Sequence, residues 1–446
     1  GFLILAEGNL FTASLETIDG LVKVFEDPGN TRIIIFTLIV GALIALIQRS
    51  GGVSGFINIL LSALKNSDFK SKRLTRIRVE LMAFFTGLII FVESNISILT
   101  VGTLYRPVFD KLKIPREKLA YITDSASAPS CILVPFNAWG AFIAGLIMAQ
   151  GLENGFAELL KATLYNFYPM IVIITVVFVI ISGKDIGEMK TAELRGSLLR
   201  KNAVPMMSSG TSEIQMKESL KPCARYMVVP IVSMVILMPF FLIMTGDGDK
   251  GWFFALQSGS GSKAVLYATT TASSLAIIMY KLAGRLGVRE SFKLSLQGMS
   301  GMVPLAILMV LAFAIGSLCN DLGTGLYVAE TAKQFVSPAL VPALIFLVAC
   351  FVAFSTGTSW GTFAIMIAIA IPLAQGMETN ISLAIAAALG GGVFGDHCSP
   401  TSDTSIITSM ATASDHIDHI RTQVPYALIG GVITTLLYII LGYMSV

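Results

Sequence analysis

The chain has 446 residues, of which 54% are hydrophobic and only 13% charged, with 31 Lys plus Arg against 28 Asp plus Glu and a mean hydropathy of +0.77. A water-soluble protein carries charge on roughly a quarter of its residues, so this composition excludes a soluble globule and places the chain in a bilayer. The net charge of +3 is too small to suggest a nucleic-acid partner.

Apolar stretches near the ~20 residues needed to cross hydrocarbon recur along the chain. They fall at 31–48, 79–105, 119–149, 164–182, 226–245, 263–280, 298–316, 336–354, 359–374, 381–412 and 425–443. Their spread predicts a polytopic helical protein; the strands of a membrane β-barrel would be about ten residues long and alternate polar with apolar. Residues 1–18 are apolar but interrupted by Glu7, Gly8 and Asn9, and the start at Gly1 leaves processing signals unread. Residues 53–64, with Gly55 and Asn58, are too short to cross and suit an interfacial helix. The five cysteines, Cys131, Cys223, Cys319, Cys350 and Cys398, are odd in number and lack a Cys-x-x-Cys spacing, which predicts free thiols.

The loops sort by charge. Segments 65–78, 106–118, 184–225 and 281–293 are rich in Lys and Arg and are predicted to be cytoplasmic, whereas 19–30, 150–161, 246–250, 317–333 and 375–380 are poor in base and face outward. Segment 79–105 then begins and ends inside, and 336–374 begins and ends outside. Both must turn within the membrane. Segment 119–149, with Asp124, Pro129 and Pro135, runs outward and is too long for one helix; segment 381–412, with Asp396, Pro400 and Asp403, runs inward. The expected fold is an all-α polytopic membrane protein, an inverted-topology repeat with discontinuous helices and re-entrant hairpins, as in secondary transporters. The expected division is a first transmembrane repeat over 1–183, a cytoplasmic linker over 184–223 and a second repeat over 224–446. Internal similarity is thin: Trp139-Gly140 recurs as Trp360-Gly361 at an offset of 221, whereas Asp124 and Asp396 are offset by 272.

Four segments place polar groups where lipid should be, and each must be compensated. In the first, Glu93 stands beside Ser94 and Asn95. It is read either as a cation or proton ligand or as a protonated acid, and Asn95-Ile96-Ser97 is a glycosylation sequon in form only. The second holds Asp124 with Ser125, Ser127 and Pro129, read as ion ligands or, for Asp124, as a helix cap; Asn137 follows the same segment. The third, Thr356-Gly357-Thr358-Ser359, predicts an unwound tip whose following amides suit an anionic group. The densest is the fourth, Gly395-Asp396-His397-Cys398-Ser399-Pro400-Thr401-Ser402-Asp403-Thr404. Here His397 is either a pH-sensitive group or a partner that holds Asp396. Beyond it, His416 and His419 alternate with Asp415 and Asp418, predicting a solvated cytoplasmic helix start more than a metal site.

Hard oxygen ligands at broken helices suit a monovalent cation or a proton, and a carboxylate that holds either but not both is the chemistry of exchange. A fitting polar organic anion would make the same frame a substrate-coupled carrier. A channel or a membrane-embedded hydrolase fits the pattern less well, since a mirrored pair of broken segments favours alternating access and no nucleophile stands beside Asp396 and His397.

The Gly-Asp-His-x-Ser-Pro-x-Ser-Asp-Thr segment at 395–404, with Thr123-Asp124-Ser125-Ala126-Ser127-Ala128-Pro129 and Trp139-Gly140, resembles the NhaC family of sodium/proton antiporters within the ion-transporter superfamily. The resemblance spans nearly the whole chain. It implies a carrier of a bacterial or archaeal inner membrane exchanging sodium for protons, with malate/lactate exchange in some members. It also implies Asp124, Asp396 and Asp403 as ion-coupling residues that ligate transported sodium, while Glu93 rests on the residue reading. Substrate contacts are expected from Asn95, Ser125, Ser127, Asn137, Thr356, Thr358, Ser359, His397, Ser399 and Thr404. No cofactor is expected, only sodium ion and proton as transported species; the expected partners are a small cation or small organic anion, the lipid bilayer and, compatibly, a second copy in a homodimer, and no nucleic acid.

Overall fold

The structure is a computed structural model that describes residues 10–65, 72–91, 93–135, 137–152, 154–196, 199–200, 203–205, 220–248, 251–252, 255, 259–321, 327, 330–331 and 334–445. Glu7, Gly8 and Asn9 lie outside these residues, as does the side chain of Cys319. Among the described residues the ordered structure is helical apart from one isolated bridge between Pro205 and Asp415, and eight helices are long and apolar enough to cross a membrane. This is a multi-pass membrane protein.

The first three helices are α1 (Leu10–Lys23), α2 (Pro28–Arg49) and α3 (Gly52–Lys65). Asp27 caps α2 by accepting the Asn30 N–H, and Pro28 at its first turn sets the entry. The chain then forms a hairpin, α4 (Lys72–Ile89) and α5 (Ser94–Lys111), and an interrupted helix, α6 (Arg116–Leu133) and α7 (Ala138–Met148). Short α8 (Gly155–Thr163), spanning α9 (Phe167–Ser182) and linker helix α10 (Gly187–Arg195) follow, then α11 (Arg225–Thr245), α12 (Gly261–Leu282) and the 34-residue α13 (Val288–Asp321). A second hairpin, α14 (Val341–Thr356) and α15 (Ser359–Gly376), precedes a second interrupted helix, α16 (Ile381–Cys398) and α17 (Asp403–Thr412), and α18 (His416–Ser445) closes the chain.

The two halves correspond at one offset. Ser94 and Ser359, which open α5 and α15, lie 265 residues apart, as do Arg116 and Ile381 opening α6 and α16, and the caps Asn137 and Ser402 of α7 and α17. This replaces both offsets expected from the sequence. Trp139 and Trp360 are not equivalents, although their ring centroids are 5.3 Å apart, and Asp124 and Asp396 occupy different places in their units.

Contacts at the two ends invert the units. The base of α4 meets α10 through Arg76 and Glu193, the start of α6 meets the end of α9 through Lys118 and Asp185, and Arg116 donates to the Ala413 carbonyl beyond α17. The described parts of the basic segments 65–78, 106–118 and 184–225 therefore meet at one end. At the opposite end, Ser382 at the start of α16 donates to Glu158 of α8, and Gly442 near the end of α18 approaches Ala339 before α14. The hairpins thus enter from opposite ends, and α6–α7 runs antiparallel to α16–α17.

Lipid tails are as apolar as leucine, so close fit rather than hydrophobic transfer holds such a bundle together. Helix α2 lies against α13 where Gly41 and Gly298 face each other; a Cβ on Gly41 would stand 2.4 Å from the Gly298 carbonyl oxygen. A second cluster of buried side chains, including Phe36, Tyr226, Met234, Ala272 and Tyr280, joins α2 to α11 and α12. Helix α3, only 14 residues long, rests its Gly55 on the backbone of Cys223. Cys131, Cys350 and Cys398 are buried free thiols and Cys223 is a half-buried one.

Candidate functional site

Backbone polar groups freed by a helix break must be satisfied inside the protein, and the two interruptions do this in related ways. At the first, α6 ends at Leu133 just before Pro135 and α7 begins at Ala138, so α6 runs unbroken past Pro129. The Asn137 side-chain amide shares its two N–H groups among the carbonyls of Cys131 (2.7 Å), Val134 (2.9 Å) and, across to the first hairpin tip, Phe91 (2.8 Å). Its own oxygen accepts the Gly140 N–H, capping α7. At the second, the Ser399 hydroxyl donates to the Phe354 carbonyl of the other hairpin at 2.8 Å. Each break is tied to the hairpin of its own half.

The tips differ chemically. The first carries Glu93, whose carboxylate accepts from Asn95 (3.1 Å) and Ser94 (3.4 Å). The second turns at Gly357, which is left-handed at φ +66° with the Thr401 carbonyl oxygen 2.6 Å from where a Cβ would stand, a place only glycine fills without strain. Thr358 caps α15, and Thr356 is exposed with its hydroxyl on the Val352 carbonyl.

Asp396 lies in the last turn of α16, fully buried. Its two oxygens accept from Ser402 (2.7 Å) and Thr404 (3.4 Å), on either side of the start of α17. The Ser359 hydroxyl, buried at the start of α15, approaches the same carboxylate. Asp403 opens α17 with its side chain exposed and accepts the Thr404 N–H. His397 faces away and meets the Tyr168 hydroxyl at 3.1 Å.

Asp124 is equally buried, in the middle of α6 and not at its cap. Three groups from the other half converge on its Oδ2: Gln423 Nε2 at 2.7 Å, Ser405 Oγ at 3.3 Å and His419 Nε2 at 3.5 Å. Gln423 also donates to the His397 carbonyl at 2.9 Å, joining the two acid sites. Ser127 turns its hydroxyl back to the Asp124 carbonyl, and Ser125 is buried beside it. Among the described residues, Asp124 Oδ1, Thr123 Oγ1, Thr408 Oγ1 and Gln423 Oε1 are buried without a hydrogen-bond partner. Of these, the Asp124 and Gln423 oxygens belong to side chains that are themselves hydrogen-bonded, and their open lone pairs suit a cation or a bound water. No three of the described His, Cys, Asp and Glu residues form a group able to hold a resident metal ion.

The Na+/H+ antiporter family matches residues 130–443, which is more than half of the chain and includes Asp396 and the Asp124 partners Ser405, His419 and Gln423. The chain belongs to that family. An uncharacterized protein of Haemophilus influenzae is 30% identical over 99% of this chain and 85% of its own length. The malate-2H(+)/Na(+)-lactate antiporter of Bacillus subtilis is 29% identical over 25% of this chain and 24% of its own. Among solved structures, the YdaH transporter of Alcanivorax borkumensis aligns over 97% of this chain and 89% of its own with a TM-score of 0.63 and 15% identity, a likeness of fold.

The protein is therefore an antiporter and not an enzyme, and sodium/proton exchange is the activity of its family. Several site residues of this antiporter escape a reading of the sequence. His419, expected at a solvated helix start, is fully buried against Asp124, because α18 begins at His416 and its first turns pack on α6 and α17. Gln423 follows one turn later. The signals are there at helical spacing: His419 and Gln423 four apart, and Ser405, Thr408, Ser409 and Thr412 as a buried hydroxyl stripe on α17.

Proposed function

We propose that Asp396 and Asp124 are the two carboxylates through which the antiporter exchanges sodium ions for protons. The observation that carries this is the first turn of α17. Ser402 and Thr404 hydrogen-bond to Asp396 and Ser405 to Asp124, so three hydroxyls within four residues of chain serve two fully buried acids from opposite halves of the chain. An unneutralised carboxylate in hydrocarbon costs several kcal/mol, so each must hold a proton or a cation, and taking one requires releasing the other. Hydroxyl and carbonyl oxygens supply the remaining ligands that a hard monovalent ion needs. Asp396 stands in the last turn of α16, at the negative end of the helix dipole, which favours a cation there.

Segments 79–105, 119–160 and 334–420 contain no Lys or Arg. An organic anion such as malate would find no fixed positive charge at the breaks and would have to travel with the cation, which favours sodium itself as cargo. Glu93, Asn95, Asn137, Thr356, Thr358, Ser359, His397, Ser399 and Asp403 take supporting places, Asn137 and Ser399 by tying tips to breaks. The carrier works in the cytoplasmic membrane of a bacterium or archaeon, with the basic loops inside.

Proteoliposomes loaded with a pH dye test the reading. A sodium gradient alone should drive proton movement, and Asp396→Asn should abolish it while the variant still elutes as folded protein. Normal exchange by Asp396→Asn, or proton movement that needs malate or lactate, would overturn it.

A further inference from the structure

A cavity of about 1780 Å³ opens at the basic end of the bundle, between the base of the α4–α5 hairpin, the end of α9 and the linker helix α10. None of its lining residues belongs to a helix break, to α17 or to α18, so it is separate from the exchange site. Seven basic side chains line it against three acidic ones. The acids are consumed locally: Glu80 and Glu193 pair with Arg76, and Asp185 with Lys118. That leaves Arg73, Lys111, Lys113, Lys184 and Lys190 without an ion pair to a described carboxylate. Apolar side chains, among them Val108, Leu112, Ile180 and Leu194, line the same cavity, and Leu194 is exposed at 84%.

We propose that this cavity binds an anionic phospholipid, with the phosphate headgroup among Arg73, Lys111, Lys113, Lys184 and Lys190 and the acyl chains along the apolar lining. The depth is right: Ser182 ends spanning helix α9 at the cavity, where hydrocarbon gives way to headgroups. Basic pockets at this level of a membrane protein suit phosphate esters electrostatically. A small soluble anion would satisfy the charges but leave the apolar lining wet, so the two chemistries together select a lipid.

Native mass spectrometry of the full-length protein in detergent, given phosphatidylglycerol or phosphatidylcholine with the same chains, tests this. The parent should retain phosphatidylglycerol and not phosphatidylcholine, and Arg73→Gln combined with Lys111→Gln and Lys184→Gln should lower retention at least about tenfold. These three exposed side chains touch neither acid cluster, so sodium/proton exchange in phosphatidylcholine vesicles should persist in the variant and show that it folds. If it fails to fold, the parent's preference between the two lipids decides alone. Equal retention of both lipids, undiminished retention by the folded variant, or displacement of phosphatidylglycerol by millimolar inorganic phosphate would overturn the lipid assignment, the last pointing to a small free anion.

Discussion

Asp124 draws its hydrogen bonds from residues nearly three hundred positions away, and this fixes what each neighbour contributes. Gln423 Nε2 bridges the Asp124 carboxylate at 2.7 Å and the His397 carbonyl at 2.9 Å, so it aligns both acid sites at once. A hydrogen bond to a charged group is worth about 1.5–3 kcal/mol, so Gln423→Leu should raise the half-saturating sodium concentration by about tenfold or more. Exchange measured in proteoliposomes across a sodium titration checks it; an unchanged midpoint would reduce Gln423 to packing. Asp124→Asn should weaken the sodium response more than folding, seen as a lost sodium dependence with an unchanged melting temperature. The acids themselves were legible as lone charges in apolar runs. The Asp124 partners His419 and Gln423 were not, because a buried Gln or His on a long helix looks the same in sequence as an exposed one.

The break and hairpin elements depend on a few side chains that replace lost backbone bonds. The Asn137 amide, with two N–H groups, is within reach of three carbonyls at the break, and leaving a buried acceptor unpaired costs about 1–3 kcal/mol. Asn137→Ala should therefore lower the melting temperature and release the Phe91 tip, read as faster hydrogen exchange in the 86–98 region. A second element, the strap formed by the linker on the α17–α18 turn, carries a pH dependence. Burial alone would raise the Asp415 carboxyl, but the N–H groups of Asp418 and Val204 hydrogen-bond to it and hold it below the usual Asp range. A carboxyl lowered in the folded state contributes stability above the ordinary value near 4, and that contribution is lost as the pH falls through the folded value. Exchange protection at Val204 should accordingly be present at pH 6 and fall away in acid, and Asp415→Ala should remove it at both. The hairpins themselves follow from loop charge, since a segment whose two ends carry the same sidedness has to turn inside the membrane. Where each helix stops does not: Pro135, and not Pro129, marks the first break, because Pro129 lies inside a continuous α6 while the chain leaves helical geometry at Val134.

Across the whole molecule, the inverted units meet along surfaces where small residues let helices close on each other. Helices α2 and α13 approach most tightly at Gly41 and Gly298, with backbone oxygen where a side chain would begin. Gly41→Leu should push them apart and lower the melting temperature of the purified protein by several degrees, whereas Gly301→Ala, with nothing within 4 Å of its added carbon, should not. Equal melting for both variants would mean that the α2–α13 contact is not what holds these helices.

Composition and the sign of loop charge were enough to establish that the chain crosses a membrane repeatedly, that its halves run in opposite senses and that Asp124 and Asp396 stand where hydrocarbon should be. These are local or additive properties, set by residues near each other in the chain. The 265-residue correspondence, the shared turn of α17 that serves both acids, and the burial of His419 and Gln423 came only with the tertiary structure. They depend on which faces of distant helices meet, and spacing along one helix does not state which partner lies across from it.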